Sequence, residues 1–383
     1  MIIKNGQVFT QKCGFEEREV RISGSLFTDQ KNPEDEQEVI DAAGCYVIPG
    51  LTDIHVHGCN NQDFCDADAE AIGNFAAYEA SKGITAICPT TMTIPEKRLL
   101  KIAETAAQYC EMAEKNSAAH AKEAVFAGIN MEGPFISPDK KGSQEKSDIR
   151  KPDAGFIREM LAKSGGKICL VDIAPEMEGA EELIREMKNK VTISIAHTNA
   201  DYETARHAME LGVHHVTHLY NAMSAYDHRA PGVVGAASDD PQCMVELICD
   251  GVHNHPAVVR NTFRIFGADR VVLVSDSMRA TGMPDGIYEL GGHKVHVNGK
   301  RALLEDGTIA ASVTNLMDCM KTCVQEMQIP LETAVQCAAV NPAKSIGMYD
   351  RFGSISAGKL ANAVLLDCRT LEVRKVILRG IVL

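Results

Sequence analysis

Between residues 47 and 275 short apolar, β-branched runs alternate with longer amphipathic stretches. The runs at 47–56, 84–90, 125–131, 168–173, 191–196, 213–217, 244–249 and 271–275 have the length and composition of buried strands. Most segments between them repeat apolar residues at helical spacing, as in 95–115, 181–188 and 201–211. Eight strands in about 225 residues predict a (β/α)8 barrel of the TIM type, an α/β fold usually about 250 residues long. A doubly wound open sheet could also hold eight strands, but no Gly-rich nucleotide fingerprint follows the first one. The two ends of the chain read differently. Residues 1–48 and 350–383 carry short alternating runs, such as Ile2-Ile3, Val20-Arg-Ile22 and Val373-Arg-Lys-Val-Ile-Leu378. Turn signals at Asn5-Gly6, Ser23-Gly24 and Ala43-Gly44 separate the first of these runs. The expectation is a small β-sandwich domain built from both termini, beside a catalytic barrel over residues 49–349.

The polar residues at the strand ends carry the chemistry. Strand one closes on His55 and His57, which share a face because side chains repeat every two residues. Later strands close on Glu132, His197, His218, Asp250 with His253 just beyond, and Asp276. Barrel enzymes draw their catalytic groups from the C-terminal ends of several strands. A set of histidines and carboxylates at those ends is a ligand set for one or two divalent ions. Any one of these histidines alone reads better as a satisfied strand-end residue, and a lone aspartate at 276 as a turn or helix cap. Their recurrence at matching positions favours metal chemistry. By contrast His207, His214, His215, His293 and His296 fall on helix, mid-strand or hairpin positions and read as structural.

Composition narrows the classes. The 383 residues include 24% charged and 45% hydrophobic ones, ordinary for a globular chain. The net charge of −13 argues against a general nucleic-acid or anionic-membrane surface, and an anionic small substrate would need a local positive pocket. Thirteen cysteines lie scattered, many inside apolar runs, which suits reduced thiols in a cytoplasm. Neither a signal peptide nor an apolar run of roughly 20 residues is evident. A soluble cytoplasmic protein is expected.

Seven motifs together resemble the amidohydrolase superfamily, and within it the N-acetylglucosamine-6-phosphate deacetylase family, along essentially the whole chain. They are Pro49-Gly-Leu-Thr-Asp-Ile-His-Val-His-Gly58, Met131-Glu-Gly-Pro-Phe135, Ala196-His-Thr-Asn199, Thr217-His-Leu-Tyr-Asn-Ala-Met223, Arg229-Ala-Pro-Gly232, Asp250-Gly-Val-His253 and Val274-Ser-Asp276. The resemblance implies a metal-bearing barrel with a small terminal β domain, and a cytoplasmic homodimer acting in amino-sugar recycling. It assigns Glu132, His197 and His218 to the principal metal and His55 and His57 to a second ion in members that bind two. It makes Asp276 the general acid/base, and His253 the group that orients the substrate and polarises its carbonyl. Asn221, the backbone at Ala222, and Arg229 match the phosphate-binding loop, with His228 in a similar role across a dimer interface. Gln144, at a position that is histidine in some members, is counted with the substrate-binding residues. Cys59-Asn60-Asn61, Gln144 and Ala311-Ser312 depart from common family patterns and are expected near the pocket mouth.

The implied reaction is hydrolysis of the acetamide of a phosphorylated N-acetylhexosamine by metal-activated water, with Asp276 passing the proton to the departing amine. Zinc suits the nitrogen and oxygen ligands, and iron, cobalt or manganese would fit them too. Nearby alternatives are the N-acetylgalactosamine 6-phosphate deacetylase, a cyclic-amide hydrolase and a non-catalytic relative that keeps the barrel.

Overall fold

The computed structural model describes residues 1–31 and 38–383. Eight parallel strands form the barrel: β1 (Leu51–Val56), β2 (Ile84–Pro89), β3 (Ile129–Met131), β4 (Ile168–Ile173), β5 (Thr192–Ile195), β6 (His215–Val216), β7 (Met244–Ile248) and β8 (Val271–Val274). The run β3-β4-β5-β6-β7-β8 is one continuous sheet, and β2 pairs with β1. Two single parallel bridges close the ring, Thr90 to Asn130 and Val56 to Ser277. Both fall at the C-terminal ends of their strands, where the candidate site residues cluster.

Two expected strands are broken, each for a visible reason. Residues 47–56 form two strands, Cys45–Pro49 and β1, separated by Gly50. A Cβ on Gly50 would stand 2.2 Å from the Thr85 side chain, so glycine is what lets the chain cross from the terminal sheet into the barrel here. Residues 125–131 likewise divide into Val125–Phe126, paired with β2, and β3, paired with β4. Gly128 lies at that step, with Cys169 Sγ 2.6 Å from where its Cβ would be. Strand β6 is only two residues long, shorter than the five expected.

The two termini share one sheet, and a second sheet is N-terminal alone. A six-stranded sheet runs Ile381–Val382, Val373–Leu378, Ala363–Asp367, Cys45–Pro49, Gln7–Phe9, Phe15–Glu17. A four-stranded one runs Leu26–Thr28, Val20–Ser23, Ile2–Lys4, Val39–Asp41. Between them lies a separate apolar core drawn from both ends, including Ile3, Phe27, Val47, Ala363 and Ile377. A three-stranded antiparallel sheet at Gly286–Leu290, His293–Asn298 and Arg301–Leu303 follows β8. His293 on this sheet lies 3.3 Å from Glu145, the neighbour of Gln144, and neither His293 nor His296 lines the cavity over the strand ends.

Candidate metal centre

Glu132 stands one residue past β3, and His197 and His218 each two residues past β5 and β6. His218 Nε2 and His197 Nε2 each lie 3.1 Å from Glu132 Oε1 and 3.2 Å from one another. Neighbouring ligands of a tetrahedral ion with metal–nitrogen bonds of ~2.0–2.1 Å are about 3.3 Å apart, so this triangle has the size of one face of such a site. His55 and His57, on one face of β1, add a second group with Asp276: His57 Nε2 lies 3.3 Å from Asp276 Oδ1 and 3.5 Å from Glu132 Oε2. His55 Nε2 reaches Glu132 Oε1 at 3.4 Å and Asp276 Oδ1 at 3.7 Å. Glu132 therefore stands between the two groups.

The opposite ring nitrogens set the charge that the cluster can accept. His197 Nδ1 faces the Lys140 carbonyl, His218 Nδ1 the Asn221 carbonyl and His57 Nδ1 the Thr90 carbonyl. His55 Nδ1 lies 3.0 Å from a Glu246 carboxylate oxygen. Each of these partners only accepts, so all four Nδ1 atoms carry the hydrogen. A neutral ring then presents a lone pair at Nε2, and four such lone pairs converge on two carboxylates. Lone pairs and carboxylate oxygens packed at these distances repel unless a cation lies between them. Hydrogen bonds that fix the tautomer from behind are characteristic of metal-binding histidines.

The titration directions agree that positive charge is wanted. Burial pushes the His55 ring down, but the Glu246 and Glu132 carboxylates outweigh it and hold the ring well above the usual histidine value. His57 is raised in the same way, burial opposed by Asp276 and Glu132. Burial alone would raise Glu132, yet the His197 and His218 rings bring it well below the usual carboxylate value. A divalent ion satisfies this demand without burying two imidazolium rings.

Backbone conformation marks the same residues. His197, His218 and Asp276 all have positive φ, at 42°, 28° and 50°. Non-glycine residues held there cost about 1–3 kcal/mol each and concentrate at functional sites. Asp276 is fastened on both sides, its N–H donating to His55 O and its carbonyl accepting from Ser312 N. Its carboxyl group is left facing the histidines.

A cavity of about 310 Å³ opens over the cluster, lined by His57, Glu132, His197, His218, His253 and Asp276 among others. Asn221, Ala222 and Gln144 also line it. His253 Nδ1 is 2.7 Å from Asp250 Oδ2, which leaves Nε2 as the ring's free nitrogen. Burial lowers the His253 ring, and the Asp250 carboxylate more than offsets this, so the ring titrates above its usual value.

Three expectations change. Arg229 is exposed on the loop before Gly232–Asp239 and does not line the cavity of its own chain, and His228, expected to act across a dimer interface, is exposed beside it. Of the departures expected at the mouth, only Gln144 lines the cavity; Cys59 is buried, and Ser312 fastens the Asp276 backbone. Gln144 sits deeper than a mouth residue, 1% exposed, with Nε2 donating to Glu132 Oε2 at 2.6 Å and Oε1 accepting from Thr93 N at 2.6 Å.

Sequence reasoning missed Glu246 and Asp172, both fully buried inside strands. Their signal was available: each is a lone charge in an apolar run, Met-Val-Glu-Leu-Ile and Ile-Cys-Leu-Val-Asp-Ile. Asp172 lies within ligand range of His55 and Glu132, and burial raises its carboxyl well above the usual value. Gly142, Ser143 and Thr308–Ala310, on loops after β3 and β8, also line the cavity and carry no comparable signal.

Residues 46–382 match the amidohydrolase family. The N-acetylglucosamine-6-phosphate deacetylase of Bacillus subtilis (strain 168) is 35% identical over 382 residues, 99% of this chain and 93% of that protein. The N-acetylgalactosamine-6-phosphate deacetylase of Escherichia coli O157:H7 is 31% identical over 335 residues, covering 87% and 86%. Among solved structures, a mutant N-acetyl-D-glucosamine-6-phosphate deacetylase from Mycobacterium smegmatis, in complex with N-acetyl-D-glucosamine-6-phosphate, superposes with a TM-score of 0.90. It is 30% identical to this chain, with 100% and 98% of the two chains covered.

Proposed function

From the premise that the chain belongs to the amidohydrolase family, we propose that it hydrolyses the acetamide of N-acetyl-D-glucosamine 6-phosphate to D-glucosamine 6-phosphate and acetate. The observation that carries the reading is the convergence of four histidine Nε2 atoms on Glu132 and Asp276 at the floor of one cavity. Glu132, His197 and His218 would hold the principal divalent ion, which we take to be zinc, and His55 and His57 a second one. Such an ion supplies Lewis-acid activation of water and of an amide carbonyl at neutral pH.

The protein's own residues do the rest. Asp276, beside the histidine cluster and ionised at neutral pH, accepts a proton from the attacking water and returns it to the departing amine nitrogen. Burial raises its carboxyl, but His57 and His55 hold it below the usual value, so the base form is ready. His253 is fixed by Asp250, whose carboxylate favours the doubly protonated ring, and directs an Nε2–H at the substrate, where it stabilises the charge developing on the carbonyl oxygen. Gln144 holds the second oxygen of Glu132 in place.

Among the described residues no Lys or Arg lines the cavity, although the substrate is a phosphate ester. We therefore place Arg229 and His228 at the phosphate of a neighbouring copy, in a homodimer, with Asn221 and the Ala222 backbone completing the contact. An exposed loop carrying both side chains supports this. Thirteen free thiols support a cytoplasmic setting. We also divide the chain into a terminal β domain of residues 1–48 and 350–383 and a barrel of residues 49–349.

The similarity to a galactosamine-type deacetylase supports one second reading, the epimeric substrate. Acetate release measured on both N-acetylhexosamine 6-phosphates tests the choice. The proposal expects the higher kcat/KM with the gluco epimer. A preference for the galacto epimer overturns the substrate assignment, and no release from either overturns the activity.

A further inference from the structure

The barrel has a second cavity at its other end, where the strands begin. Its volume is about 710 Å³, larger than the cavity over the metal cluster, and it shares no lining residue with it. The wall is built from the segments entering β4 to β7 and from the chain around Asn341–Ser345. Five cations stand on it: Lys167, Lys188, Lys190, Lys344 and Arg351. Among the described residues no aspartate or glutamate lines it.

This is an exception in a chain where acidic residues outnumber Lys and Arg by 13. Among the described residues none of these five forms a salt bridge, so no carboxylate neutralises their charge at the wall. Lys188 donates to the Leu211 carbonyl, Lys344 lies over the Tyr349 ring and Arg351 faces the Met348 sulfur. Asp240, close to this wall, is engaged by His214 at 2.6 Å. Gathering five such groups around one hollow costs mutual repulsion, which a bound anion relieves.

The inner end of the hollow carries an independent sign of a ligand. His215 lines it, is 1% exposed, and bonds through Nδ1 to Ser194 Oγ at 2.9 Å. Its Nε2 is buried with no hydrogen-bond partner. A buried imidazole nitrogen left unpaired is costly, and it leaves polar capacity behind the inner wall that no group among the described residues meets. Five cations together with neutral polar groups on the wall, among them Asn189, Thr192, Gln242 and Ser345, match a molecule with phosphate groups on a hydroxylated body.

We propose that this cavity is a binding site for a small phosphate-bearing anion, separate from the metal centre. Inorganic phosphate and a sugar phosphate share the recognised chemistry. Calorimetric titration of the metal-replete protein with inorganic phosphate and with fructose 1,6-bisphosphate tests the site and separates the two sources. Saturable binding that weakens with salt is expected for at least one probe. The double variants Lys167→Gln/Lys190→Gln and Lys344→Gln/Arg351→Gln should each weaken it about tenfold or more, the worth of one or two charge-assisted hydrogen bonds. Their rate of acetate release should match that of the unaltered protein, because the substitutions lie at the opposite end of the barrel. Tighter binding of the bisphosphate assigns the site to a sugar phosphate; equal or tighter binding of inorganic phosphate assigns it to the free ion. Absence of saturable binding, or unchanged affinity in both double variants, overturns the proposal. So does binding lost in Arg229→Ala and kept in the double variants.

Discussion

Asp276 stands where a proton has to move, and its backbone and side chain have separate duties. The backbone is tied to His55 and Ser312, so a cap or turn role alone would be served by any residue that tolerates φ of 50°. Asparagine tolerates that conformation and keeps the shape while removing the base. Asp276→Asn should therefore be folded and hold the principal metal, with kcat reduced by roughly 10²- to 10⁴-fold. A variant retaining more than about a tenth of the rate, outside that range, would return Asp276 to a structural role. Gln144 makes a different kind of contribution, because it touches Glu132 rather than the reacting atoms. Removing a partner that orients a metal ligand typically costs roughly 10- to 100-fold in metal affinity. Competition with a chelator should show a loss of about that size in Gln144→Ala, and near recovery in Gln144→His, which can still donate. Equal metal affinity in all three proteins would show that Gln144 only lines the cavity.

The strands carry the site because their C-terminal ends converge, and that much was legible in the sequence. Alternating apolar runs outlined the eight barrel strands, and histidines and carboxylates stood where six of those runs stopped. Less legible was where runs break, since Gly50 and Gly128 answer to close approaches by Thr85 and Cys169 on neighbouring strands. Single-sequence periodicity carries no information on such contacts. The depth of Gln144 and the exposure of Arg229 outside the cavity lining were hidden for the same reason: they depend on loop paths. One helix carries a further buried charge. Glu79, on Ala69–Ser81, is fully buried, its oxygens lack hydrogen-bond partners, and burial, with nearby Asp53, pushes its carboxyl up to about 8. The unfolded chain ionises this group near its ordinary value of 4.5, so the folded state binds the extra proton between those limits. Stability should fall with rising pH across that window, at up to ~1.4 kcal/mol per unit, and level off above it. Glu79→Gln cannot ionise and should remove this component. Urea unfolding at pH 5, 6.5 and 8 should show the variant gaining on the unaltered protein as pH rises. Parallel pH dependences would contradict the buried protonated state.

At the scale of the whole molecule, a closed barrel separates two mouths of opposite electrostatic character. The C-terminal mouth gathers carboxylates and histidines around a place for a cation, while the N-terminal mouth gathers five cations around a larger hollow. The terminal sheets meet in their own core beside the barrel, and none of their described residues lines either cavity. Function at the C-terminal mouth thus rests on the cation that the histidine tautomers and carboxylates demand. The direct test is acetate release from N-acetyl-D-glucosamine 6-phosphate, measured while ion is returned stepwise to chelator-stripped protein. The stripped protein should be inactive, and activity should rise with bound divalent ion to a plateau at one or two equivalents per chain. His197→Ala should neither bind the principal ion nor recover. Full activity in the stripped protein, or recovery in His197→Ala, would contradict a metal-dependent deacetylase built on Glu132, His197 and His218.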